Sequence, residues 1–245
     1  MLQYNRQKTL ILAFCVLFFE SLNYPLIKIT LNDVSPFFFL SVRFWLLAII
    51  FMPFAKIKNV QMWPLFQFAI VFNVAHYGFN YLSFKYLSPT AIALFQYTQI
   101  PLLFLMIHRK IVTLCLSIMG VLLFISGSNT LSLLGCSLAI FSNIAWALGQ
   151  MVQKKEEYSI STFVFFTSLF SAPFLSALAF FARENFNLTS TSPEKMIYLL
   201  LYQIIILGLC KGIWANLSFK EGRSVRTSFV WIFKPLCVAG LCLFL

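Results

Sequence analysis

Charge is scarce in this 245-residue chain: only 10% of its residues are charged, 60% are hydrophobic, and acidic side chains number seven. Soluble domains carry about a quarter charged residues. A water-soluble fold of this size could not cover so much apolar surface with so few polar groups. Histidine is nearly absent, with His76 and His108 alone, and His108 falls in the basic connection "HRK". No pair of metal-ligand motifs and no phosphate-cradling loop occurs, so neither a metal nor a nucleotide cofactor is expected. The six cysteines (Cys15, Cys115, Cys136, Cys210, Cys237 and Cys242) all sit inside apolar runs, without metal-ligand spacing or an extracellular framework. They read as small apolar fillers. "SGSN" at Ser126–Asn129 lacks a His or acid that could activate a serine, and it reads as a helix end. The chain is not expected to be an enzyme.

What the chain has is a succession of apolar runs near twenty residues long. Each can cross a hydrocarbon core of roughly 30 Å at about 1.5 Å per residue. The first run follows basic Arg6 and Lys8 but no small-residue cleavage site closes it, so it is a retained span. The periodicity predicts nine helices, at 9–31, 36–54, 62–84, 88–107, 111–128, 131–152, 160–182, 196–218 and 225–245. The runs are too continuous for the alternation of a membrane β-barrel. The fold class is an all-α polytopic membrane helix bundle.

The net charge of +11 lies in short clusters between apolar runs, which is the pattern of orientation signals and not of a nucleic-acid surface. With the N-terminus in the cytoplasm, eleven basic residues fall inside: Arg6, Lys8, Lys56, Lys58, Arg109, Lys110, Lys154, Lys155, Lys220, Arg223 and Arg226. Three fall outside, Lys85, Arg183 and Lys195. That bias sets the N-terminus inside. Lys28, Arg43, Lys211 and Lys234 remain within spans; Arg43 and Lys28, nearer the outer ends, are expected to be headgroup or structural residues.

The tetrapeptide LSFK occurs at Leu82–Lys85 and again at Leu217–Lys220, which aligns the third span with the eighth. Leu12-Ala13 aligns with Leu138-Ala139, and the first span with the sixth. Residues 1–130 and 131–245 are therefore read as two copies of one five-helix unit. Five is odd, so the second copy enters from the opposite face, an inverted repeat of the kind secondary transporters use. Two full copies need ten spans, and the last is expected to be missing here.

Polar residues recur at helical spacing within the spans. Asn73, His76, Tyr77 and Asn80 share one face of the third span. Glu20, Asn23, Tyr24 and Lys28 mark the first, where Pro25 is expected to kink the helix. Gln96 and Gln99 mark the fourth, which Ser88-Pro89 begins and whose regularity Pro101 is expected to break. Glu20 is the sharpest, because it is the one carboxylate inside a span. An ionised acid there needs a cation from another helix, such as Lys211, or a wet cavity. The candidate substrate-binding or coupling set is Glu20, Asn23, Asn73, His76, Tyr77, Asn80, Gln96, Gln99, Trp146, Gln150, Lys211, Trp214 and Lys234. The bland reading of single Asn or Gln residues is interhelical hydrogen bonding, worth about 0.6 kcal/mol each.

Three stretches carry a family resemblance: "NYPLIKITLNDVSPFFFLSVRFWLLAIIFMPF", "YGFNYLSFKYLSPTAIALFQYTQIPLLFLM" and "GCSLAIFSNIAWALGQMVQKK". The chain resembles the EamA-like branch of the drug/metabolite transporter superfamily. Arg43 is similar to the Arg early in that family's second span, and Pro101 and Pro235 to the prolines late in its fourth and ninth. The resemblance implies ten spans as two inverted repeats, a bacterial inner-membrane location and the movement of small metabolites or drugs. Two features depart from the pattern: "IHRK" stands where a Gly-Glu pair usually follows the fourth span, and only nine of the ten spans are expected from the residues given.

Cationic His76, Lys211 and Lys234 beside a single acid suggest a substrate with an anionic group and an amine, such as an amino acid or a compound derived from one. The competing readings are a proton-coupled multidrug exporter centred on Glu20 and a non-transporting membrane interaction protein. The expected partners are a small molecule and the lipid bilayer, with proton or cation coupling and a homodimer both left open, and no nucleic acid.

Overall fold

Proline and serine set the helix starts, and those starts frame the bundle. The computed structural model describes residues 6–56, 60–108, 132–153, 158–184, 197, 200–206 and 234–244. Among them every element is helical. Helix α1 covers Arg6–Asp33, and α2 covers Pro36–Phe51 with a 3₁₀ turn at Met52–Phe54. Helix α3 is a rod over 62–86, built from Met62–Phe68, a π-helical stretch Ala69–His76, and Tyr77–Tyr86. Helix α4, over 89–108, joins Pro89–Phe95 to Gln99–His108 through a 3₁₀ turn at Gln96–Thr98. Then come α5 (Leu133–Gln153), α6 (Ile160–Phe181), the π-helical α7 (Tyr202–Ile206) and α8 (Lys234–Phe244). Six expected spans are matched closely at both ends; the fifth, and most of the eighth and ninth, lie outside the described residues.

Four helices are long and apolar enough to cross a membrane by themselves: Phe14–Asp33, Pro36–Phe54, Leu133–Val152 and Ile160–Phe181. Rods α3 and α4 are of comparable length but interrupted. Ser88 begins α4 as expected, its Oγ accepting the N–H of Ala91 at 3.2 Å, with Pro89 at the first helical position. Pro101 has no N–H to offer the carbonyl of Tyr97, which lies within the 3₁₀ turn Gln96–Thr98. Asn143 of α5 clasps that break. Its Nδ2 donates to the Phe95 carbonyl at 2.7 Å and to Thr98 Oγ1 at 2.8 Å, and its Oδ1 accepts from Gln99 Nε2 at 3.0 Å. Pro25 sits inside α1, which runs unbroken from Arg6 to Asp33.

Helices α2 and α6 run antiparallel along their lengths. At one end the N–H groups of Phe37 and Phe38 meet Glu184. Partway along, Ser41 and Ser176 share a hydrogen bond of 2.7 Å. At the other end Ser161 donates to the Phe54 carbonyl at 2.8 Å, and Lys56 N–H donates to Thr162 Oγ1 at 2.9 Å. Helices α3 and α5 are also antiparallel, and glycine permits their approach. A Cβ at Gly135 would lie 2.8 Å from Leu87 Cγ, and one at Gly149 would lie 2.8 Å from Phe72 Cδ2. The two glycines are fourteen residues apart, close to four turns, and so share a face. Small residues at such seams let helices pack where lipid supplies no hydrophobic drive.

Between these pairs lies a core that includes Tyr24, Ile27, Phe39, Leu40, Phe84 and Leu175. Lys28 reaches from α1 to the last turn of α3, donating to the Phe84 carbonyl and, at 3.4 Å, to the Leu87 carbonyl. A cation on the carbonyl end of a helix is favourable, so Lys28 has the structural role expected. Large apolar side chains such as Ile49, Phe180 and Phe181 are exposed on the outside, where acyl chains would cover them.

Candidate functional site

Glu20 and Lys234 meet where α1, α4 and α8 converge. Lys234 Nζ lies 3.2 Å from Glu20 Oε2 and donates to Gln96 Oε1 at 3.1 Å. The ring of Tyr24, one turn along α1 from Glu20, lies beneath the ammonium with its centroid at 4.9 Å. Lys234 side chain is 8% exposed and that of Glu20 is 18%. Two opposite charges at this separation and burial attract strongly, and each offsets the desolvation of the other. The 3₁₀ turn of α4 begins at Gln96. Defects in helix geometry commonly accompany functional sites.

A second polar line starts one turn from Glu20. Asn23 Oδ1 accepts from Gln203 Nε2 of α7 at 3.0 Å, and Gln203 Oε1 accepts from the Tyr81 hydroxyl at 2.8 Å. That hydroxyl in turn accepts from Arg43 at 3.2 Å. The Arg43 guanidinium lies over the rings of Tyr77 and Phe44, at 5.1 and 5.6 Å from their centroids. Arg43 is 2% exposed, so it is not a headgroup residue. Its position eight residues into α2 suggested a route to the surface, but α3 and α7 cover it.

Other members of the expected set join helices to one another. Asn73 Nδ2 donates to the Thr167 carbonyl of α6 at 3.2 Å. His76 Nδ1 meets the Ser142 carbonyl at 2.9 Å and the Ser142 hydroxyl at 2.8 Å, while that hydroxyl donates to the His76 carbonyl at 3.1 Å. With the hydroxyl proton so placed, Nδ1 carries the ring proton and donates. Gln99 is held by Asn143, away from its neighbour Gln96. Asn80 is buried on α3, and Trp146 and Gln150 are half-buried on α5. Lys211 and Trp214 lie outside the described residues. The structure thus gathers Glu20, Asn23, Gln96 and Lys234 in one place, with Tyr77 at the far end of the polar line.

Arg43 and Tyr81 are the members that sequence reasoning undervalued or missed. Tyr81 continues the polar face of α3, four residues after Tyr77, and that spacing was the available signal. Chemically the cluster offers one carboxylate, two cations, three amide side chains and several aromatic faces. It can hold a small polar molecule by charge and ring contact.

Comparison with known proteins agrees with this layout. Residues 7–126 match the model of the EamA-like transporter family. Close to half of the chain is thus similar to that family. A Bacillus subtilis (strain 168) protein named uncharacterized transporter YvbV is similar to it, 24% identical over 254 residues that cover 96% of this chain and 83% of the relative. The chain is accordingly a multi-pass membrane transporter. In this EamA-like protein the matched region contains Glu20, Asn23, Arg43, Tyr81 and Gln96, so most of the polar cluster is built from the family module.

Proposed function

We propose that this EamA-like protein moves a small metabolite bearing both a carboxylate and an amine, an amino acid or a compound derived from one, across the bacterial inner membrane by alternating access. The observation that carries the reading is the ion pair of Glu20 and Lys234, drawn from α1 and α8 and shared with Gln96 of α4. A self-neutralising pair in a low-dielectric interior is complementary to a zwitterion. The substrate's ammonium takes Glu20 and its carboxylate takes Lys234, so the exchange brings no net charge into the bundle. The same pairing weighs against a drug exporter centred on Glu20, because an internal cation already engages the acid.

Alternating access is supported by the helix directions. The second and seventh spans of the sequence reading, α2 and α6, hold equivalent places in the two copies and run opposite ways, as an inverted repeat of residues 1–130 and 131–245 requires. The connections flanking Phe54, Gln61, Tyr158 and Ser161 gather at one end, where Tyr158 also donates to the Gln61 carbonyl at 3.1 Å. Those connections contain Lys56, Lys58, Lys154 and Lys155, so this end faces the cytoplasm, together with the N-terminus.

The test is a thermal-stability screen of the purified chain against amino acids, nucleosides and cationic dyes, repeated with Glu20→Gln and Lys234→Met. Stabilisation by amino acids that both variants lose supports the reading. Stabilisation by dyes alone, lost only in Glu20→Gln, moves the assignment to the drug exporter.

A further inference from the structure

We infer that Arg43 is an anion-binding residue of the transport pathway, and that the pathway selects substrates carrying one net negative charge, such as amino acids with an acidic side chain. The inference deepens the reading above and rests on the Glu20 cluster being the substrate site.

The argument is a charge balance. Glu20 and Lys234 cancel each other. Arg43, 2% exposed, has no such counter-charge among the described residues. Glu20–Lys234 is the only ion pair among the described residues. The six remaining acids of the sequence are Asp33, Glu156, Glu157, Glu184, Glu194 and Glu221, and all fall in connections by the sequence reading. Glu184 lies beyond α6 and is bound to the backbone of Phe37 and Phe38. Arg43 itself is held by one neutral hydroxyl and two aromatic faces, and its buried Nε has no hydrogen-bond partner. A buried guanidinium left in that state is unfavourable unless a ligand supplies the charge it lacks. Its planar fork is shaped for a carboxylate.

The position suits a route and not only a fixed point. Arg43 lies seven residues from the start of α2, about 10 Å in depth at helical rise, while Glu20 lies thirteen residues from the end of α1, about 20 Å. Both measures start from the Glu184 end, because α1 finishes and α2 begins there. Tyr81, Gln203 and Asn23 form the hydrogen-bonded line between the two depths. An anionic group entering from the Glu184 end therefore meets Arg43 before it reaches Lys234, with exchangeable polar partners between them.

The experiment measures apparent Kd for L-glutamate, L-glutamine and glutarate with the full chain in lipid nanodiscs at fixed ionic strength. L-glutamate is expected to bind at least about tenfold more tightly than L-glutamine, the scale of one charge-assisted contact. Arg43→Gln should erase that preference. Arg43→Lys, which keeps the charge and loses the fork, should weaken it and serves if Arg43→Gln does not fold. Equal affinity for L-glutamate and L-glutamine overturns the role of Arg43 while leaving the amino-acid site in place. Acid preference undiminished in both variants also overturns it, as does absence of binding by all three probes. Arg43-dependent binding of glutarate without any binding of the amino acids upholds Arg43 and removes the amine from the earlier reading.

Discussion

Lys234 Nζ stands 3.2 Å from Glu20 Oε2 although 214 positions separate the two residues in the chain. The pair closes α8 against α1, and Leu17 packs with Cys237 one turn away on both helices. Glu20→Gln leaves the ammonium without its counter-charge and should cost up to about 3–5 kcal/mol of stability, the scale for breaking a buried pair. Lys234→Met should cost a similar amount for the same reason. The double variant should be closer to wild type than either single one, because neither charge is then stranded. Denaturation of all four proteins in one lipid system gives the cycle. Additive losses would mean that the two groups do not interact.

Tyr81 makes a different kind of link. Its hydroxyl accepts from Arg43 at 3.2 Å and donates to Gln203 at 2.8 Å, and the side chain is 1% exposed. Tyr81→Phe keeps the ring packing against Phe39 and Phe84 but strands one donor and one acceptor. The expected loss is about 1–3 kcal/mol for each group left unsatisfied. Thermal melting of Tyr81→Phe against wild type measures it. A melting point equal to wild type would show that water or another group takes the place of the hydroxyl.

Six of the helices could be read from the sequence because lipid imposes a length and a composition on each span, and both are local properties. The helix defects were partly legible. Pro101 announced a break in α4, and the break came in the turn ahead of it. The π-helical stretch of α3, Ala69–His76, carries no proline and gave no warning. Pairings were the least legible part. The need of Glu20 for a cation followed from its burial, but choosing Lys234 depends on which helices touch, and that is a long-range property. For Arg43 the headgroup half of the expectation failed for the same reason. Depth along one helix says nothing about the neighbour that covers it.

The seam of α3 and α5 depends on two glycines that no motif marks. Gly135→Ala would set a Cβ 2.8 Å from both Leu87 Cγ and Tyr86 Cβ, and Gly149→Ala would set one 3.0 Å from Phe72 Cβ. Each substitution forces the helices apart and should cost about 1–3 kcal/mol, the range for overpacking. Gly240→Ala on α8 serves as the control, since nothing lies within 4 Å of its Cβ position. Comparable melting points for all three variants would remove the close approach as a source of stability.

Glu184 gives a dependence on pH at the end of the bundle opposite Lys56. Its carboxylate accepts the N–H of Phe38 at 2.9 Å and of Phe37 at 3.4 Å, at the open amino end of α2. Burial beside Phe180 and Phe181 pushes its pKa up from the ordinary value, and the two backbone donors and Lys85 pull it back only in part. The folded chain therefore holds the proton to higher pH than the unfolded chain does. The stabilisation is complete below the unfolded pKa and is lost as pH rises through the folded one. Glu184→Gln, which cannot ionise, lacks that loss. Melting points of wild type and Glu184→Gln measured from about pH 4 to pH 8, a window that spans carboxylate titration, should shift in favour of the variant as pH increases. A shift in the opposite direction would mean that the α2 backbone donors outweigh burial, making Glu184 a conventional helix cap that stabilises α2 when charged.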